Sequence, residues 1–156
     1  MNNMDILTYF KNMKKEARGQ SLVELAISLT VILMLLLGAI EISLALFQFV
    51  TIRDAAQEGA LYGSINPNDN AGIKLRALAA ADDIMPDLTD ANITITKPSP
   101  ACEGVADNGT LNAITVQIQY AHNIAFPLVG PMIGSNTIPL TASVTNTILQ
   151  PSCDAP

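Results

Sequence analysis

Lys14-Lys15-Glu16-Ala17-Arg18-Gly19-Gln20-Ser21-Leu22-Val23-Glu24-Leu25, or KKEARGQSLVEL, sets a bare carboxylate at the mouth of a long apolar run. From Leu25 to Ile40 no residue is charged, and residues 25 to 52 hold a single charge, Glu41, in 28 positions. At ~1.5 Å per residue, a helix of that length reaches about 42 Å. The hydrocarbon core of a bilayer is roughly 30 Å thick, so the run is long enough to cross a membrane and emerge from it. A soluble protein of this size rarely holds so long a core helix.

The chain has 156 residues, enough for one small domain besides this run. Its composition, 49% hydrophobic with only 4% aromatic and no Trp, is unusual for a soluble enzyme, and the excess is concentrated in the run. Lys11, Lys14, Lys15 and Arg18 crowd the N-terminal flank, whereas the other flank sets Arg53 against Asp54 and Glu58. By the positive-inside rule, residues 1–19 stay cytoplasmic and the chain after about residue 50 is exported. Residues 63–156 carry Lys74, Arg76 and Lys97 against eight acids, a net charge near minus five, which disfavours nucleic acid as a partner. A cleaved secretory signal would have an apolar region of about 7 to 15 residues, roughly half of this one. An uncleaved signal anchor fits the length but leaves Glu24 unexplained, because a lone carboxylate near lipid costs on the order of a few kcal/mol.

A basic leader ending in Gly19, then Gln20-Ser21-Leu22-Val23, then Glu24 and a long apolar helix, resembles a type IV prepilin. In that family a membrane prepilin peptidase cuts after the glycine, and the glutamate becomes the fifth residue of the mature chain. The resemblance therefore implies a cut between Gly19 and Gln20. The closer likeness is to the TadE-like pseudopilins of tight-adherence (Flp) pilus systems, whose opening is similar to Arg18-Gly19-Gln20-Ser21-Leu22-Val23-Glu24. Leu36-Leu37-Gly38-Ala39-Ile40-Glu41 and Ala55-Ala56-Gln57-Glu58-Gly59-Ala60 extend it, so that it covers about residues 17 to 63. The chain departs from the pattern at Leu25, where an aromatic is common, and at Leu44, Gln57 and Leu61, near which arginines are common.

Cleavage after Gly19 would leave an ammonium on Gln20 in or near a medium of low dielectric, where a charge is tolerable only when paired. The resemblance implies that Glu24 of an incoming subunit meets the terminal amine of its neighbour. The plainer reading has Glu24 snorkelling at the interface beside Arg18. Glu41 either marks the outer third of the span or faces another subunit.

Beyond the run the helical period continues. Ile52, Ala55, Ala56, Gly59, Ala60 and Gly63 share one narrow face of small side chains, with Arg53, Asp54, Gln57 and Glu58 opposite. Small faces admit close backbone approach, and Ala55, Ala56, Gly59 and Ala60 are expected to pack against a helix of another subunit or against the protein's own sheet. Ser64 to Asn70, with Pro67 and its Asn/Asp cluster, reads as a turn, with Asn70 capping a helix from Ala71 to Met85 that Pro86 ends. Ile73, Ala77, Ala80, Ala81 and Ile84 lie on one side of that helix.

The period then changes to two. Ile93 and Ile95, then Ile114, Val116, Ile118 and Tyr120, then Ile138, Leu140, Ala142 and Val144 alternate with Thr, Ser and Gln. Three half-buried strands need a cover, which the helices supply, giving an α+β class: a long N-terminal transmembrane and stalk helix, then a small head with a further helix and an antiparallel sheet of three or more strands. The expected divisions are a leader at 1–19, a transmembrane and stalk helix at 20–62, and an exported head at 63–156.

No catalytic, phosphate-binding or metal-binding spacing stands out, and no cofactor is expected. The single histidine, His122, ends a strand without a sequence-near partner, the usual setting of a surface or internally satisfied residue. Asn92-Ile93-Thr94 and Asn108-Gly109-Thr110 match the glycosylation sequon, a short pattern. Cys102 and Cys153 both fall on the exported side, where an oxidising compartment favours a disulfide and a reducing one leaves two thiols. The function expected is structural: a pilin-like subunit of a Tad pilus, with prepilin peptidase, other pilin or pseudopilin subunits and membrane lipid as partners. Its expected location is the cytoplasmic membrane, crossed once with the head outside, and after cleavage an extracellular pilus used in adhesion. The alternative is an uncleaved single-pass envelope protein with a binding head.

Overall fold

The computed structural model describes residues 3–105, 111–127 and 129–151, with the backbone alone for 3–18 and for Met132. The chain divides into two units, Met1–Ile40 and Glu41–Pro156. Helix α1, Asn3–Ile65, supplies all of the described part of the first unit and opens the second. No proline interrupts it until Pro67, which disfavours helical backbone at Asn66 and so fixes its end. Thr30 and Thr51 donate their hydroxyls back to the carbonyls of Ala26 and Phe47, at 2.8 and 3.0 Å.

From Gly19 to Leu36 every residue of α1 is exposed, on all faces of the helix. Burial begins at Glu41 and recurs at Ala45, Ile52, Ala55, Ala56, Gly59, Ala60 and Gly63, the three-and-four spacing of a helix lying on a core. The Gly19–Ile65 stretch is long and apolar enough to cross a membrane, with a mean hydropathy of 2.5 in its most apolar window.

The second unit continues with α2 (Asn70–Ala81), a 3-10 turn (Asp90–Asn92), β1 (Ile93–Thr96), β2 (Ala113–Asn123), a short α3 (Val129–Ile133) and β3 (Thr137–Thr147). The strands form one antiparallel sheet in the order β1-β2-β3. Ile93 pairs with Ile118, Ile95 with Val116, Val116 with Val144 and Ile118 with Ala142, so apolar residues meet on one face. Ile114, Val116 and Ile118 are fully buried, while on the other face the Thr115 and Thr145 hydroxyls bond at 2.8 Å. This is the α+β class expected, with three strands in its sheet.

The core joins Ile52, Ala55, Ala56 and Ala60 of α1, Ile73 and Ala77 of α2, and the inner face of β2. Gly59 and Gly63 mark close approaches: a Cβ at Gly59 would lie 3.2 Å from the Ala77 Cβ, 3.3 Å from the Ile73 carbonyl and 3.5 Å from Val116, and one at Gly63 would lie 2.8 Å from Ile114. The small-residue face of α1 thus meets the chain's own second helix and sheet.

Two details differ from the sequence reading. Asp69, not Asn70, caps α2, its carboxylate accepting the Gly72 N–H at 2.9 Å. The Tyr62 hydroxyl donates to the same carboxylate at 2.9 Å, which pins the turn between α1 and α2. Helix α2 also stops at Ala81 rather than Met85, where the carbonyl of Ala81 accepts from both Ile84 and Met85. Asp82 and Asp83 would add negative charge to a helix C-terminus, where the dipole disfavours it. Ala80 within α2 and Ile84 beyond it are exposed, whereas Ile73, Ala77, Ala81 and Met85 are buried.

Candidate assembly site

Gly19, Gln20 and Glu24 all lie on α1 and all are exposed. Leu22, Val23 and Leu25 around Glu24 are exposed by 68%, 61% and 62%. A helix that is apolar on every face and covered by none of the described residues is suited to a cover from outside, by lipid or by other subunits. Glu24 therefore offers a carboxylate from within a surface that prefers to leave water. Among the described residues none bonds to it.

Glu41, on the same helix, meets opposite conditions. It is 1% exposed, and one carboxylate oxygen lies 2.8 Å from Nε2 of His122. The backbone N–H groups of Ala125 and Phe126 donate to its two oxygens at 3.1 and 3.3 Å. On the far side of the ring, His122 Nδ1 lies 2.7 Å from Oε1 of Gln48. Both ring nitrogens of His122 have a polar partner. Glu41 is thus spent inside its own unit and is not left to face another subunit. His122 is an internally satisfied histidine.

The sequence reading did not pair these two, although a signal existed. Glu41 is the one charge in a run of 28 and His122 the one histidine, each isolated in a neutral stretch. Buried ionisable groups require partners, so two such residues 81 positions apart were candidates for each other.

Cys102 is 4% exposed, whereas Cys153 lies outside the described residues. The chain on either side is nonetheless brought together: Glu103 donates its N–H to the Pro151 carbonyl at 2.8 Å. Of the two sequons, Asn108 to Thr110 also falls outside the described residues. Asn92 is engaged in structure, its amide nitrogen donating to the Gln119 carbonyl and its oxygen accepting from Thr89, each at 2.9 Å. Among the described residues no group of three or more His, Cys, Asp or Glu is placed to hold a metal ion.

Residues 19–61 match the family model of TadE-like proteins. No curated protein and no solved structure matches the chain significantly. The matched segment begins at Gly19, contains both Glu24 and Glu41, and ends just past Ala60.

Proposed function

We propose that this chain, TadE-like over residues 19–61, is a pilin-like structural subunit of a Tad pilus system, cut by a prepilin peptidase between Gly19 and Gln20 and assembled through α1. The observation that carries the reading is the contrast between the two carboxylates of one TadE-like helix. Glu41 is fully partnered within its unit, and Glu24 stands bare on an all-round apolar surface. A charge kept in such a place needs a counter-charge from elsewhere. The new ammonium on Gln20 of a neighbouring subunit supplies one of the right sign.

On this reading the basic flank holds the N-terminus in the cytoplasm and the second unit is exported. The stretch from Ser21 to Ile40, about 30 Å as a helix, matches the hydrocarbon thickness. Membrane lipid covers it before assembly and other pilin or pseudopilin helices afterwards. The small-residue face at Ala55, Ala56, Gly59 and Ala60, already used internally, shapes the second unit, and the contacts between subunits fall on the exposed apolar faces instead. In an oxidising exterior, Cys102 and Cys153 join the loop after β1 to the C-terminal tail. The work is structural rather than catalytic.

Glu24→Gln tests the assembly role. The variant keeps the shape of the side chain, removes the charge and makes insertion easier. It is expected to insert, be cut and accumulate in the membrane, yet to be depleted from sheared filaments and from complexes with partner pilins. Wild-type incorporation of the Gln variant would remove Glu24 from assembly and favour an uncut anchor.

A further inference from the structure

Glu41 follows the last residue of the uncharged run, and at that position in the chain it fastens a second segment. Its carboxylate holds the N–H groups of Ala125 and Phe126 and the ring of His122. The sequence that begins there, Phe126-Pro127-Leu128-Val129-Gly130-Pro131-Met132-Ile133, contains no charged residue. Phe126 and Val129 are half-buried, and Ile133 is 58% exposed. On α1, Ile42 and Leu46 are also largely exposed, and they line an apolar groove with Phe49, Ile138 and Leu140.

The charge distribution points the same way. Residues 108–153 hold no Asp, Glu, Lys or Arg, so β2, α3 and β3 present a neutral surface. Apart from the partnered Glu41, the charges of the second unit fall elsewhere in the sequence, at Arg53, Asp54 and Glu58 of α1, at Asp69, on α2 and in the turns after it, and at Lys97, Glu103, Asp107 and Asp154.

We propose that Phe126, Pro127 and α3 (Val129–Ile133), with Ile42 and Leu46, form a second membrane contact that rests in the boundary between headgroups and acyl chains. The inference depends on the reading of α1 as membrane-spanning. With Ser21–Ile40 filling the hydrocarbon, Ile42 and Leu46 come about 3 and 9 Å beyond its edge along the helix. The boundary layer that receives interfacial apolar groups is about 5 to 10 Å deep. Lipid is therefore the occupant, since the groove begins within two residues of the span. The pairing of Glu41 also fits this depth, where a bare carboxylate is costly and one with three donors is tolerated.

The chain has no Trp, so single-Trp variants of the full chain report cleanly. Ile133→Trp and Leu46→Trp replace exposed side chains, and each is compared with Leu35→Trp inside the run and Leu61→Trp far along α1, both also exposed. Leu61 lies about 30 Å beyond Glu41 along the helix and controls for the preference of Trp itself for interfaces. The variants are placed in vesicles of phosphatidylcholine with and without brominated acyl chains.

The expected result is that Ile133→Trp and Leu46→Trp lose emission to the bromolipid alongside Leu35→Trp, while Leu61→Trp does not. Quenching of Leu35→Trp without quenching of Ile133→Trp would overturn the second contact and leave the span standing. An unquenched Leu35→Trp would overturn both. Shielding of Ile133→Trp that grows with the protein-to-lipid ratio and owes nothing to bromine would assign the surface to a second copy of the chain, and so would also overturn the proposal.

Discussion

At position 41 a carboxylate that looks misplaced in an apolar helix closes a polar cluster of ring, amide and two backbone N–H groups. Removing the carboxylate leaves the His122 ring and two backbone N–H groups unsatisfied in a buried site, and each such group costs about 1–3 kcal/mol. Glu41→Ala is therefore expected to lower the stability of the second unit by about 3 kcal/mol or more, read as a fall in the midpoint of denaturant unfolding of the full chain in detergent. Glu41→Gln is expected to cost less, because its amide oxygen still accepts a backbone N–H. Equal midpoints for wild type and Glu41→Ala would show that the cluster contributes nothing. At position 24 the same residue type has no described partner, and its role is sought between chains. The sequence marked both glutamates as anomalies in an apolar run. It did not tell them apart, because the partner of Glu41 lies on β2 and is supplied only by the tertiary fold.

The elements were legible to different degrees, for physical reasons. Ile52, Ala55, Ala56, Gly59, Ala60 and Gly63 marked the buried face of α1 because a single period of 3.6 decides which side chains turn inward. What covers that face was open in sequence, since small residues admit any close neighbour; the structure puts Ile73, Ala77, Ile114 and Val116 there. The strands were legible as alternation, and each runs at or beyond its expected bounds because backbone pairing continues where side-chain alternation fades. The α2 cap was missed by one residue. Asp69 and Asn70 are both good caps, and the choice falls to Asp69 because Gly72 lacks a Cβ that would collide with its carboxylate, while Tyr62 reaches the same group.

This cap carries a pH dependence. The Gly72 N–H first, and the Tyr62 hydroxyl second, hold the Asp69 carboxyl below its ordinary range. A carboxyl depressed in the folded state contributes stability that is present above its ordinary value and is lost as pH falls through the lowered one. Wild type should therefore lose melting temperature on acidification in that window relative to Asp69→Asn, which keeps a capping oxygen without the charge. Parallel curves for the two proteins would remove the charge from the account of the cap.

For the molecule as a whole, the fold joins a helix with an exposed apolar surface to a small unit in which the loop after β1 is tied to the C-terminal segment. The Glu103 to Pro151 bond already brings the loop after β1 to the C-terminal segment, and a Cys102 to Cys153 bridge would make that tie covalent. Closing a loop of about 50 residues stabilises by roughly 4 kcal/mol on the chain-entropy estimate. Cys153→Ser is accordingly expected to lower the melting temperature of the full chain under non-reducing conditions and to leave it unchanged under reduction. Quantitative alkylation of both cysteines in the unreduced protein would refute the bridge.

The central claim is that α1 is processed for assembly rather than kept as a permanent anchor, and the N-terminus of the chain in its native membrane decides it. Intact-mass analysis of the protein extracted from that membrane, with Gly19→Val beside it, is the direct measurement. The account predicts a mature wild-type chain that begins at Gln20, and a variant that inserts with its leader retained. Assembled wild-type protein whose mass still includes Lys14, Lys15 and Arg18 would contradict it.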